Sequence, residues 1–436
     1  MRLSTSLRLN AQKGLVTPYD PALTLDLQFA ARQAYVANIG PLPTFTRASI
    51  GTFVGSDGLI QTAATNVPRI DFDPVTRLCR GLLIEEQRTN LTIRSDDFAN
   101  AAWAKTAVTA TSDQTTSPDG SVNADLISET TANSSRSVLA NTLPAVTSGT
   151  SYTLSVFLKK GTGSTAPDWI ILGFLVGGFG TVRAAFNLST GLFGSTVGTF
   201  SGSVTQYPNG WWRVSMTATA TASAAAGSLL LFLSNNTNTT TPPTYTGQTT
   251  SDIFIWGAQF EAGAFATSYI PTTTGSLVRS ADVCSITGAA FTGFYNQTEG
   301  TLVFIGSKQA LQAPGPFPTY TQVSNGTSAE RYAMRCNGGG ETMFVIDNST
   351  TQVSFSTTIQ PANTRFGLSS RYKLNDFAFS LNGAAPSVQV SGTLPTVDRI
   401  EIGNGALSNF MGGWVYAIQY YNTIKTNAQL QALSTP

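Results

Sequence analysis

Apolar and polar side chains alternate in short runs along most of this chain. Ser151–Leu158 (SYTLSVFL) and Trp212–Ala218 (WRVSMTA) alternate residue by residue, the period of a strand with one buried face. Leu229–Leu233 and Ile253–Trp256 are short apolar runs between polar loops, and Asn235–Pro243 reads as a connector. From about Asn90 to Pro271, strands separated by turn signals predict a β-sandwich. A second such pattern runs from about Thr301 to Leu433. It includes Gly300–Gly306, Arg399–Gly403 and Gly413–Tyr421, and Asp376–Gly383 ends in an Asn-Gly hairpin signal. The chain closes with a predicted short helix, Asn427–Leu433, with Thr426 or Asn427 as its N-cap. No heptad pattern is seen, so no coiled-coil stalk is expected.

The first 90 residues are less regular. Ala22–Phe29 alternates, turns follow at Gly40-Pro41 and Ser56–Gly58, and Pro68–Pro74 and Gly81–Ile84 are short extended pieces. Such pieces need a neighbour to pack against. Within Trp256–Gly275 (WGAQFEAGAFATSYIPTTTG) a strand gives way to a polar loop, and Pro271 cannot donate to a sheet ladder. Ile253–Phe260 is therefore expected to close one sandwich. Glu261–Pro271 would lead away from it, pinned by Tyr269 and Ile270. The expected fold is all-β: two antiparallel β-sandwich (jelly-roll) domains, 91–275 and 276–436, after an irregular, extended N-terminal region, 1–90. Cleavage near Thr274 is then expected to leave two separately folded pieces.

Composition narrows the function. Charged residues make up 11% of the 436, the net charge is +1, and no basic block stands out. A nucleic-acid footprint is thus missing, and nucleic-acid binding is not expected. No run of about 18 apolar residues predicts a transmembrane helix, so no membrane insertion is expected. The first residues lack the apolar core of a signal peptide, which points to synthesis and folding in the cytoplasm. Histidine is absent, which removes Ser-His-Asp and Cys-His schemes and His-ligated metals. Cys79, Cys284 and Cys336 are widely spaced and read as unpaired structural thiols. Asn337–Gly340 lacks the lysine of a phosphate loop and reads as a hairpin loop. Glu85-Glu86 and Asp96-Asp97 are adjacent pairs. On extended backbone they face opposite ways and cannot flank one glycosidic bond. Ion pairs with Arg88 or Arg94, or loop caps, are the expected use, and no enzymatic activity is expected.

Several ordered blocks resemble tailed-bacteriophage structural proteins: Thr44–Ser49 (TFTRAS), Asp57–Ile60 (DGLI) and Gly81–Leu91 (GLLIEEQRTNL). In that family the block precedes a carbohydrate-binding-module-like jelly roll. Ser95–Phe98, Trp103 and Gly210–Val214 (GWWRV) match its landmarks, and Trp256–Glu261 and Thr267–Thr272 resemble its closing strand and exit. The match runs from about Leu23 to Asp282. More loosely, Leu381–Gly383, Ile400–Gly403, Gly412–Val415 and the final helix resemble a laminin-G or concanavalin-like jelly roll. The resemblance implies a virion protein with lectin-like modules, such as a tail-fibre, tail-tip or head-fibre component, with residues 1–90 attaching it to the particle. Implied partners are other virion proteins, further copies of the chain (a trimer, by analogy with phage fibres) and a host-surface glycan. A head decoration, cement or tail-assembly role without a glycan is the alternative.

Two candidate sites follow. Jelly rolls of this kind often hold a structural calcium, and Asp96, Asp97, Asp252 and Glu261 lie near the first and last strands of the middle sandwich. Sugar rings stack on exposed aromatic faces, and Tyr207, Asn209, Trp211 and Trp212 form the densest aromatic–amide group. If Trp211 and Trp212 share a strand, they face opposite ways and at least one belongs to the core. Trp103, Trp256, Trp414 and Tyr420-Tyr421 read as core anchors.

Overall fold

The structure, a computed structural model, describes residues 20–140, 143–176, 178–224, 228–310, 317–405 and 409–436. It is all-β and antiparallel, built from sheets that pack face to face as sandwiches. In the middle of the chain two six-stranded sheets face each other. One carries Val108–Thr116, Val122–Glu129, Asp252–Ala262, Ser151–Lys160, Trp211–Thr219 and Ser201–Tyr207, in that order. The other runs from Leu192–Val197 through Gly180–Asn187, Trp169–Val176, Ser228–Leu233 and Arg136–Ala140 to Trp103–Thr106. The alternation of Ser151–Lys160 explains their packing: Leu154, Val156 and Leu158 enter the shared core with Ile170, Leu172 and Phe260.

The C-terminal residues, joined by strands from before residue 90, form a nine-stranded sheet against a seven-stranded one. Phe304 of the first stacks on Tyr320 of the second and Phe366 meets it edge to face, ring centroids 5.1 Å apart in each pair. Asn382 and Gly383 both have positive φ (48° and 77°), which the predicted tight hairpin turn requires. Asn337–Gly340 joins two paired strands, with the Asn337 amide donating to Gly340 at 3.1 Å. The final helix spans Asn427–Leu433, with Thr426 as N-cap and Gln429 completing a capping box. Cys79, Cys284 and Cys336 are free thiols.

Residues 20–90 differ from the irregular region expected. They carry eight strands between Leu23 and Asn90, and several belong to the C-terminal sheets. Leu23–Leu27 inserts between Ala37–Ile39 and Gly413–Tyr421. Cys79–Ile84 pairs with the other end of Gly413–Tyr421, and Thr44–Thr46 closes the seven-stranded sheet on Val283–Thr287. Alternation along Leu25–Leu27 places both leucines, fully buried, in the C-terminal core. The neighbour these pieces required therefore lies more than 200 residues downstream. The intervening hairpin, Gly51–Val54 with Ile60–Ala63, reaches the other way. Val54, Ile60 and Phe72 pack on Phe157, Trp211, Phe254 and Trp256, on the outer face of the first six-stranded sheet.

This weave bears on the expected border at Thr274. A fragment of residues 276–436 lacks Leu23–Leu27, Thr44–Thr46 and Cys79–Ile84, and with them a buried part of its core. We expect that fragment to be insoluble or molten when expressed alone. A chain nicked after Thr274 should still elute as one particle in size-exclusion chromatography, held by residues 20–90; separation into two folded pieces would contradict the weave.

Candidate functional site

The aromatic group seen in the sequence does not assemble into a platform. Tyr207 and Trp211 lie opposite each other across a tight hairpin. At its turn, Asn209 sits in the left-handed region (φ 62°) with its side chain exposed. Tyr207 and Trp211 are buried beneath the Gly51–Ala63 hairpin. Trp212 points through the sheet to the sandwich core, and its Nε1 donates to the Leu188 carbonyl at 2.8 Å. Strand alternation thus divides the pair as expected, but packing from distant segments covers the outward member too.

The four carboxylates proposed as metal ligands do not converge. Asp252 and Glu261 sit near opposite ends of one strand, Asp252–Ala262, nine steps and so about 30 Å apart at the strand rise. Asp252 accepts from the Gly163 amide at 3.0 Å; Glu261 accepts from Gln259, the Thr267 amide and the Thr267 hydroxyl at 2.7–2.9 Å. Asp97 caps Asn100 at 3.2 Å and pairs with Arg94 at 3.7 Å, while burial pushes the Asp96 carboxyl up. Among the described residues no three Cys, Asp or Glu side chains are placed to share a metal ion. The loop after Asp97 instead aims four carbonyls, those of Phe98, Ala99, Asn100 and Trp103, at Lys105 Nζ, at 2.9–3.1 Å. The chain's own ammonium takes the cation's part there.

Of the Glu85-Glu86 pair, Glu86 turns outward to Arg88, and Glu85 enters a fully buried charge cluster. Arg69 Nη1 lies 2.8 Å from Glu85, and Arg69 Nη2 reaches Asp282. Arg47 contacts Asp282 at 3.2 Å, and Arg279 contacts Glu85 at 3.6 Å. The Ser268 amide and hydroxyl both donate to Glu85, at 2.8 and 2.7 Å. Burial alone would raise the Glu85 pKa, but Arg279, Arg69 and the Ser268 hydrogen bonds outweigh it and hold the carboxyl well below its ordinary range.

Beside this cluster opens a cleft of about 490 Å³. One wall is the outer face of a strand pair in which Ser201 lies opposite Thr217, Ser203 opposite Ser215 and Thr205 opposite Arg213. Ser201 and Ser203 are exposed on an edge strand. The facing wall comes from Phe53, Asp71 and Trp414, and Gln309 and Asn363 reach in from the C-terminal sandwich. Asp71 accepts from the Val54 amide and from Trp414 Nε1, each at 2.7 Å. Burial pushes its carboxyl up to about 6 against those bonds and the nearby Arg80 charge.

The loop Ala264–Tyr269, expected only to lead away from the sandwich, lines this cleft. Its end is pinned as expected, Tyr269 and Ile270 being buried. Phe265, half-buried, is one of the cleft's lining residues, with the Arg88 guanidinium 5.0 Å from its ring centre. Two glycines make room. A Cβ on Gly412 (φ 53°) would come within 2.8 Å of the Phe265 ring, and one on Gly263 (φ 148°) would overlap the Arg88 guanidinium. Of the aromatic–amide group named from the sequence only Tyr207 lines the cleft; the cleft's other residues escaped notice because their hydroxyls look like an ordinary solvent face. The available signal was the repeated Ser-x-Ser-x-Thr and Arg-x-Ser-x-Thr period in two runs that pair.

No protein-family model and no curated protein sequence matches the chain. Solved structures give distant likenesses. A sialidase CBM40 of Ruminococcus gnavus, bound to alpha2,3 sialyllactose, is 13% identical with a TM-score of 0.28, over 33% of this chain and 87% of its own. The receptor-binding domain of botulinum neurotoxin mosaic serotype C/D is 11% identical with a TM-score of 0.27, over 35% of this chain and 39% of its own. Domains LG4-5 of the mouse laminin alpha1 chain are 10% identical with a TM-score of 0.22, over 66% of this chain and 84% of theirs. Likenesses this shallow carry no functional argument, and the sandwich architecture rests on the sheets themselves.

Removing one partner of a buried ion cluster strands the others. Glu85→Gln should therefore cost about 3–5 kcal/mol in chemical denaturation; a loss below about 1 kcal/mol would mean that the cluster does not hold the junction. Two acids set opposite pH dependences. Asp71, raised in the folded state from 3.8 to about 6, makes the fold bind an extra proton between those values, so its contribution to stability rises as pH falls from 7 to 4. The Glu85 contribution is complete above about 4.5 and is lost progressively as pH falls below that value. Asp71→Asn should flatten the stability change between pH 7 and pH 5, measured by thermal denaturation, whereas wild-type-like slope in that variant would assign it elsewhere.

Proposed function

We propose that this chain is a structural protein of a bacteriophage particle, a fibre or tail component, whose cleft contacts a glycan of the host surface without chemical change. The observation that carries the glycan contact is the cleft. It combines rows of hydroxyl side chains, the amides of Gln309 and Asn363, and the Phe265 ring. That is the pairing of directional hydrogen bonds with an apolar face that a sugar ring requires. The reading is non-enzymatic, because Glu85 and Asp71 are already engaged by hydrogen bonds and guanidinium charges.

The virion role is supported by the blocks that resemble phage proteins. Arg47, Glu85 and Ser268 come from three of those blocks and meet in the buried cluster beside the cleft. Such a protein works in many copies on one particle, where weak single sites add up through multivalency.

Glycan-array binding of the purified protein, with competition of phage adsorption by added protein, checks this reading. Phe265→Ala should weaken glycan binding roughly threefold to tenfold through lost ring contact, while leaving the thermal midpoint within a few degrees. Particle stability that depends on the protein, with no glycan bound, would favour a decoration role instead.

A further inference from the structure

Resting on the glycan reading, we infer that the cleft selects a saccharide bearing a carboxylate, received by the guanidinium of Arg213. Arg213 differs from the arginines of the neighbouring cluster. Arg47, Arg69 and Arg279 each contact a buried carboxylate, whereas no Asp or Glu lies within ion-pair distance of Arg213 among the described residues. Its Nη2 donates to the Ser155 hydroxyl at 3.1 Å, and its guanidinium lies 5.3 Å from the Phe157 ring centre. Its Nε is buried without a hydrogen-bond partner, as are those of Arg69 and Arg279, so what sets Arg213 apart is the missing carboxylate. A guanidinium with one hydrogen bond and no carboxylate beside it leaves its charge to be met by water or by an anion in the cleft.

The surroundings indicate what completes it. Arg213 lies in the hydroxyl wall, opposite Thr205 and two residues from Ser215. The acid of the facing wall, Asp71, is taken up by Val54 and Trp414 and lies near the Arg80 charge. Asp71 thus has partners of its own, and Arg213 is left without a carboxylate within ion-pair distance among the described residues. A guanidinium fork matches a carboxylate in two parallel hydrogen bonds, which a neutral hydroxyl cannot reproduce. Gln309 from the C-terminal sandwich contributes a buried Oε1 without a partner, an acceptor suited to a sugar hydroxyl. Carboxylate at Arg213 and hydroxyl at Gln309 together describe an acidic sugar spanning the cleft.

The test uses the full chain and a panel of uronic-acid and nonulosonic-acid oligosaccharides, each paired with its carboxyl-reduced form, together with neutral oligosaccharides. The acidic member of a bound pair should bind about tenfold more tightly than its reduced partner, and more weakly as salt rises. Arg213→Gln should remove that preference and Arg213→Lys should restore part of it, with thermal midpoints recorded for both. Equal binding of acidic and reduced members would overturn the carboxylate assignment and leave the glycan reading standing. Preference retained in a folded Arg213→Gln protein would overturn the role of Arg213. No binding to any member, neutral sugars included, would remove the glycan reading and this inference with it. Should Arg213→Gln fail to fold, the wild-type comparison of acidic and reduced members decides the matter.

Discussion

The buried cluster of Arg47, Arg69, Glu85, Arg279 and Asp282 is the constraint on which the rest of the structure depends. Its ion-paired side chains are at most 1% exposed. Taking such charges out of water is expensive, and their mutual attraction offsets the cost only when every partner is in place. Carbonyls complete the set: Arg47 also donates to Ser49 and Ala64, Arg69 to Thr52 and Arg279 to Glu86. A cluster of this kind adds little net stability over apolar packing. It imposes specificity, because a misplaced segment would strand a buried charge.

The cleft inherits its geometry from that cluster. Asp71 stands two residues after Arg69, on the same short extended piece, and is aimed at Trp414. Ser268, bound to Glu85, fixes the end of the loop that presents Phe265. The hairpin Gly51–Ala63 is tied to Arg69 through the Thr52 carbonyl and covers Tyr207 and Trp211. Walls contributed by distant parts of the chain are thus held in one arrangement by the same ions. A preorganised polar cleft loses less entropy on binding than one assembled by its ligand.

Much of the fold was legible locally. The alternation in Ser151–Leu158 and Trp212–Ala218, the Asn382-Gly383 turn and the cap at Thr426 each depend on a few neighbouring residues, and each is found where it was read. The opposite facing of Trp211 and Trp212 follows from pleat geometry alone. The candidate site was not legible in this way. Asp252 and Glu261 look close only if the strand's length is ignored, and a lysine aimed back at its own loop, as Lys105 is, leaves no spacing pattern. Tyr207 and Trp211 entered the candidate sugar-binding group because nothing nearby in the chain announces the hairpin that covers them.

The sequence by itself determined the class of fold: period-two alternation with frequent turn residues buries its apolar faces between packed β-sheets. It also determined the chemical palette, rich in hydroxyls and amides, sparing in charge and without histidine. Only the tertiary structure decided which segments meet. Residues 20–90 carry strands whose apolar faces any sandwich could bury, and their choice of the C-terminal sheets depends on long-range register and on five charges that must find one another. The cleft exists only as the space left between segments so placed, and a space between distant surfaces has no local signature in a chain.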